Sequence, residues 1–200
     1  MPDYSVEHSL INEGYKIICG VDEAGRGPLA GPVCAAAVIL PNDLEIEGLN
    51  DSKKLSEKKR EVLFDVIVEK SIACAVSLVD NHRIDQINIL EATFEAMCDA
   101  VNKLNVKPDC AIIDGNREPK NLSVPCVTVV KGDSISMSVA AASILAKVTR
   151  DRLMVDLAKV YPQYQFEKHK GYGTKLHRDL ILEHGASDIH RITFLKNILK

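Results

Sequence analysis

The chain has 200 residues, 46% of them hydrophobic and 26% charged, with a formal net charge of −3 at pH 7. That length is expected to form a single domain spanning 1–200, and the acidic balance excludes a body that grips polyanions by bulk positive charge. Met1–Leu10 is polar, with no apolar core of a signal peptide, and no apolar run reaches the roughly 20 residues that span a bilayer, so a soluble cytoplasmic protein without membrane contact is expected.

The first strand is expected over Tyr15–Val21 and the second over Val33–Leu40, separated by the Gly- and Pro-rich turn Gly25–Pro32. Ser56–Glu69 has apolar residues at helical spacing (Val62, Leu63, Val66, Ile67) behind a capping serine. Ser71–Val79 reads as a third strand and Ile89–Leu104 as a helix with Leu90, Phe94, Met97 and Val101 on one side. Cys110–Ile113 and Cys126–Val130 are short continuous apolar runs, the pattern of buried strands. From Ser134 to about Val160 the pattern is helical until Tyr161-Pro162 stops it, and Ser134, Ser136, Ser138 and Ser143 read as small packing residues there. A polar loop, Gln163–Thr174, leads to helical pieces at Leu176–His184 and about His190–Leu199, a C-terminal helical extension beginning near 161. The expected class is α/β, a central mixed sheet flanked by helices. The six cysteines form no C-x-x-C pair and several lie in apolar runs, which fits buried free thiols rather than zinc ligands or a disulfide framework.

Chemistry concentrates where acidic residues meet strand ends: Asp22 and Glu23 after the first strand, Asp114 after the fourth, Asp133 just past the fifth. Any one of these is equally well a turn former or an N-cap. Gathered together, they need a compensating cation, because close carboxylates raise each other's pKa. Oxygen ligands without Cys or His favour Mg²⁺ or Mn²⁺ over Zn²⁺, and such ions pair protein carboxylates with substrate phosphate oxygens. Phosphoryl transfer or phosphodiester hydrolysis is the chemistry suggested, and no spacing supports a serine nucleophile. Directly after the pair, Gly25-Arg26-Gly27 offers backbone that a ligand can approach and a guanidinium for a phosphate; it lacks the Gly-Lys-Ser/Thr ending of a P-loop.

The run Gly20-Val21-Asp22-Glu23-Ala24-Gly25-Arg26-Gly27-Pro28 through Val33 resembles the signature opening of the ribonuclease HII family. Further blocks are similar to that family's in the same order: Asp51-Ser52-Lys53-Lys54-Leu55, Ile113-Asp114-Gly115, Lys131-Gly132-Asp133, Ala141–Val148 with Arg150-Asp151, and His169-Lys170-Gly171-Tyr172-Gly173-Thr174. The resemblance implies a ribonuclease H-like fold with helices on both faces of the sheet. It also implies two-metal endonucleolytic hydrolysis of RNA in RNA/DNA hybrids and at ribonucleotides embedded in duplex DNA, leaving 3′-hydroxyl and 5′-phosphate ends. It assigns metal-binding and catalytic roles to Asp22, Glu23, Asp114 and Asp133, reading of the ribose 2′-hydroxyl to Gly25, Arg26 and Gly27, and substrate sensing to Tyr172. The short stretch before the first strand disfavours the longer relative, ribonuclease HIII.

Lys53 and Lys54 read as phosphate contacts, whereas Lys58–Arg60 reads as a solvated helix face. Lys168, Lys170, Lys175 and Arg178, with His169 and His177 nearby, form a second basic cluster around Tyr172, suited to tracking a backbone. Asp151 is expected to pair at the surface with Lys or Arg. Two alternatives keep part of this picture: a nuclease acting on DNA junctions, and a catalytically silent hybrid-binding protein. The first is disfavoured by the Gly-Arg-Gly turn and Tyr172, the second by the presence of all four carboxylates. No protein partner is inferable and a monomer is expected.

Overall fold

The computed structural model describes residues 1–199; Lys200, just past the expected tail helix, lies outside them. Five strands, β1 (Ile18–Ala24), β2 (Val33–Ile39), β3 (Ala73–Val79), β4 (Cys110–Asp114) and β5 (Cys126–Val129), form one sheet in the order β3-β2-β1-β4-β5. β2 is antiparallel to both β1 and β3, while β1, β4 and β5 are mutually parallel. The mixed sheet expected from the sequence is present. Its parallel half ends its strands on one side, and that is where polar side chains can converge.

Alternation along the strands sorts the core into two layers. Cys19 and Val21 of β1, Ala35 and Ala37 of β2 and Ile113 of β4 pack with Ile84 of α3 (Asn81–Ile87) and Ala96, Met97 and Val101 of α4 (Ile89–Asn102). On the other face Cys34, Ala36 and Val38 pack with Leu63 and Ile67 of α2 (Glu57–Lys70) and with α5 (Met137–Val160). Ile18 and Ile112 meet Leu10 of α1 (Ser5–Asn12) and Val139 of α5. α5 crosses β1 so closely that a Cβ on Gly20 would lie 2.1 Å from the Ser138 carbonyl carbon. Only glycine allows this approach, which presses the start of α5 against the middle of β1.

Several boundaries differ from the sequence expectation. β1 runs to Ala24 rather than stopping at Val21, so Asp22 and Glu23 lie within the strand, held there by pairing with Ala36 and Ala35. α5 begins at Met137, where Ser136 caps it through Val139 N–H, rather than at Ser134. α1 and α3 were hidden in segments read as polar, and α6 (Phe166–His169) sits inside the expected loop ahead of α7 (Lys175–His184). The helical piece expected at about His190–Leu199 is absent: the described part of the tail holds only a 3₁₀ turn at Ile192–Phe194. Asp85 accepts from the Ile192 and Thr193 amides, fixing this turn locally. Ser56 caps α2 as expected, accepting from Lys59 N–H. All six cysteines are free, four of them buried and Cys74 and Cys126 half-buried.

Candidate active site

The parallel pairing of β1 with β4 brings two carboxylates side by side. Val21 stands opposite Ile113, so the next residues, Asp22 and Asp114, leave neighbouring strands on the same face, toward α5. Glu23, one residue on, points to the opposite face, toward Leu90, Thr93, Phe94 and Met97 of α4, where it lines a cavity of 340 Å³ with Arg26, Asp114 and Arg117. Asp133 enters from the 3₁₀ turn Gly132–Ser134 after β5, and that turn is fastened to Asp114, whose Oδ1 accepts from Gly132 N–H at 2.7 Å. The four carboxylates, from three separate segments of the chain, thus gather at the C-terminal end of the parallel strands, with Glu23 on the face opposite Asp22.

Their electrostatics are strained. Asp22, 3% exposed, has its carboxyl raised well above the ordinary range by burial, with Glu23 and Asp114 adding repulsion and Ser143 opposing it through a hydrogen bond. Burial also raises Glu23, against the Arg26 guanidinium 3.5 Å away. Asp133 is raised by burial and by Asp51, against the lowering effect of Lys53, whose ammonium lies 3.6 Å from its Oδ2. Among the described residues no three Asp, Glu, His or Cys side chains form a ready-made metal cage. An open array of mutually repelling carboxylates suits a hard divalent cation that keeps waters and takes substrate phosphate oxygens as further ligands. The donor set contains oxygen alone.

The Asp51–Leu55 segment reaches this cluster through a 3₁₀ turn capped by Asp51, with Ser52 Oγ 2.9 Å from Ser143 Oγ of α5. Lys53 faces Asp133, and Lys54 pairs with Asp51 at 3.6 Å. Arg60 departs from the solvated role expected of it: its guanidinium donates to the Ser52 and Leu55 carbonyls and braces the segment.

The Gly25–Pro32 turn folds over two buried arginines. Gly25 has φ +95°, and a Cβ there would strike Arg150 Nε at 2.1 Å, so this glycine serves the interior. At Gly27 a Cβ would meet nothing, leaving the outer side of the turn open to a ligand. Arg150 donates to the carbonyls of Pro32, Ala30 and Lys170. Tyr172 is 38% exposed, with Lys147 Nζ 5.5 Å and the Arg150 guanidinium 5.7 Å from its ring centre. Lys147 pairs with Asp151 at 2.8 Å; Asp151 is buried, not at the surface as expected. His169 and His177 are likewise buried beneath the Tyr172 loop, where burial lowers both, and so add no charge to the basic cluster. Sequence reasoning assigns Asp51, Ser143 and Arg191 no role at the site: Asp51 stands only within a family-like block, Ser143 reads as a small packing residue of an alanine-rich helix, and Arg191 lies in a tail whose pattern gives no sign of contact with the site.

The sequence profile described as ribonuclease HII matches residues 19–197. The ribonuclease HII of Caldicellulosiruptor saccharolyticus is 56% identical over 197 residues, 98% of this chain and 96% of that protein. Among solved structures, the ribonuclease H2 from Pyrococcus horikoshii OT3 superposes with a TM-score of 0.73 at 30% identity, covering 89% of this chain and 93% of the other. The RNase HII in the PCNA:RNase HII complex from Archaeoglobus fulgidus gives 0.75 at 28% identity over 88% and 94%. With near-complete coverage, and with the strand-end acids and the glycine turn all falling inside the matched region, the chain belongs to the ribonuclease HII family and is an endoribonuclease of the ribonuclease H type.

Proposed function

We propose that this protein hydrolyses RNA phosphodiester bonds in RNA/DNA hybrids and at single ribonucleotides embedded in duplex DNA, leaving 3′-hydroxyl and 5′-phosphate ends. The observation that carries this reading is the β1–β4 register, which sets Asp22 beside Asp114, together with the Gly132 hydrogen bond that draws the Asp133 turn to the same point. Asp22, Glu23, Asp114 and Asp133 would hold Mg²⁺ or Mn²⁺. When bound, a pair of such ions supplies activation of the attacking water and neutralisation of charge on the leaving oxygen.

The remaining roles belong to the chain itself. The outer edge of Gly25, Arg26 and Gly27 meets the ribose 2′-hydroxyl, the group that separates RNA from DNA. Lys53 and Lys54 hold phosphates beside the carboxylates, and the half-exposed Tyr172 ring packs against the sugar, its orientation supported by Lys147 and Arg150 from below. Ordering the sugar and phosphate against the carboxylates fixes the scissile bond in line for attack.

The test is cleavage of a DNA duplex carrying one ribonucleotide, beside an all-DNA duplex, in Mg²⁺, Mn²⁺ or EDTA. A metal-dependent nick on the 5′ side of the ribonucleotide, absent from the all-DNA duplex, is expected. Cutting of the all-DNA duplex would replace this reading with a junction nuclease, and binding without cleavage with a silent hybrid-binding protein.

A further inference from the structure

Arg191 is wholly buried, and no carboxylate lies within ion-pair distance of it among the described residues. A buried cation without an anion is costly and persists only where its donors are well satisfied. Its three donations all go to main-chain carbonyls of one turn: Nη2 to Gly25 at 2.6 Å, Nη1 to Arg26 at 3.0 Å and Nε to Gly31 at 2.9 Å. The backbone on either side is pinned as well, Arg191 N–H donating to Leu29 O at 2.8 Å and Gly31 N–H to Ile189 O at 2.9 Å.

These contacts determine a direction. Among the described residues no peptide bond is cis. In a trans peptide the N–H points opposite to the C=O of the same plane. Because the Gly25 and Arg26 carbonyls are drawn inward to the guanidinium, the N–H groups of Arg26 and Gly27 must project outward. Neither N–H has an acceptor among the described residues, and the space beside Gly27 is empty. Two donors are therefore presented on the open side of the turn, without an acceptor among the described residues.

We propose that Arg191 is a positioning residue for recognition of the ribose 2′-hydroxyl, acting by holding the Gly25 and Arg26 carbonyls so that the Arg26 and Gly27 amides face the substrate. The inference rests on the reading that this turn meets the 2′-hydroxyl. The preceding residue extends the same anchor to the second loop: His190 bonds His177, and His177 bonds the Tyr172 carbonyl. The His190-Arg191 pair thereby ties the two substrate-facing loops to a common support. A lysine at 191 keeps the charge but cannot hold the carbonyls of Gly25 and Arg26 in a planar fork.

The experiment compares Asp114→Asn, expected to bind without cutting, with Asp114→Asn/Arg191→Lys in Mg²⁺, measuring affinity for a single-ribonucleotide duplex and for the all-DNA duplex by fluorescence anisotropy. The expected result is a preference for the ribonucleotide that drops roughly five- to tenfold in the double variant, the worth of about one hydrogen bond, with all-DNA affinity unchanged. An unchanged preference overturns the proposal, and so does a parallel loss of both affinities, which is what a merely structural arginine would produce. If Arg191→Lys does not fold, Arg191→Ala supplemented with methylguanidinium decides: restored preference supports positioning, and its failure to return refutes it. Absence of any preference in Asp114→Asn itself would instead remove the underlying reading of the turn.

Discussion

His177 Nε2 lies 3.1 Å from His190 Nε2 in the buried layer under the Tyr172 loop, and the neighbours of the two rings permit one proton arrangement. Ser187 N–H points at His190 Nδ1 at 2.9 Å, making that nitrogen an acceptor and leaving the proton on Nε2. His190 Nε2 then donates to His177 Nε2, whose Nδ1 donates to the Tyr172 carbonyl at 3.1 Å. His169 sits beside them, stacked on His177 at 4.2 Å, with its Nδ1 accepting from Gly171 N–H. Every ring is neutral and every tautomer is fixed.

This chain predicts an acid limit. Burial, with repulsion from His169, pushes His177 down to about 4, and burial likewise pushes His190 down to about 4, from 6.5. A histidine lowered in the folded state binds its proton more readily when unfolded, so its contribution to stability is intact above about 6.5 and is lost progressively as pH falls to about 4. In NMR titrations the ring protons of His177 and His190 are expected to remain those of neutral imidazole to about pH 5, with Tyr172 loop amides shifting only below that. Titration of either ring near its ordinary value would contradict the assigned tautomers.

The carboxylate cluster works in the other direction. Asp22 is held well above the usual range by burial and by Glu23 and Asp114, so its ionisation destabilises the metal-free fold as pH rises. Asp22→Asn is expected to raise the thermal midpoint in EDTA by a few degrees, about 1 kcal/mol in a chain of this size, while lowering Mg²⁺-dependent cleavage by on the order of a thousandfold. Calorimetry with and without Mg²⁺ checks the first part and single-turnover cleavage the second. A lower midpoint in EDTA would show that Asp22 is stabilising as an anion.

Gly20 carries no chemistry, yet its substitution should be among the most damaging in the protein. A Cβ would stand 2.1 Å from Ser138 C and 2.3 Å from Val139 N, both main-chain atoms that cannot rotate away. Gly20→Ala is expected to cost about 3 kcal/mol by pushing α5 off β1, read as a fall in the urea midpoint. Because Ser143 and the Asp133 turn ride on that helix, activity should fall in step with stability. At Gly27, where a Cβ meets nothing, Gly27→Ala should leave the midpoint nearly unchanged.

Lys53 is exposed and faces Asp133; partial desolvation of its ammonium works against the charge, but Asp133, Asp22, Asp51 and Asp114 outweigh it and raise its pKa. As a phosphate contact it should release about one counterion on binding. Lys53→Met is expected to reduce the slope of log K against log salt by about 1 for every sequence tested, without altering preference for a ribonucleotide. An unchanged slope would assign Lys53 to neutralising the carboxylates alone.

The local pattern carried much of this molecule. Apolar runs bounded by polar or Gly- and Pro-rich segments marked the strands, the 3.6-residue repeat and Ser56 cap marked α2, and the acids and glycines that follow apolar strands marked the candidate site, because these signals act between residues close in the chain. α1 and α3 escaped because polar segments become helical here through what they pack against, and Glu7, which accepts from Ser136 and Ser138 of the α5 start, can be understood only across that distance. The tail read as helical but is held as a 3₁₀ turn by Asp85 and by the carbonyls that Arg191 engages, partners remote in sequence. Strand order, and with it the meeting of Asp22 with Asp114, was decided by which apolar faces could be buried together. The outward direction of the Arg26 and Gly27 amides was decided by one buried guanidinium more than a hundred residues away, since the orientation of a peptide plane in a turn depends on what its carbonyl finds to bond.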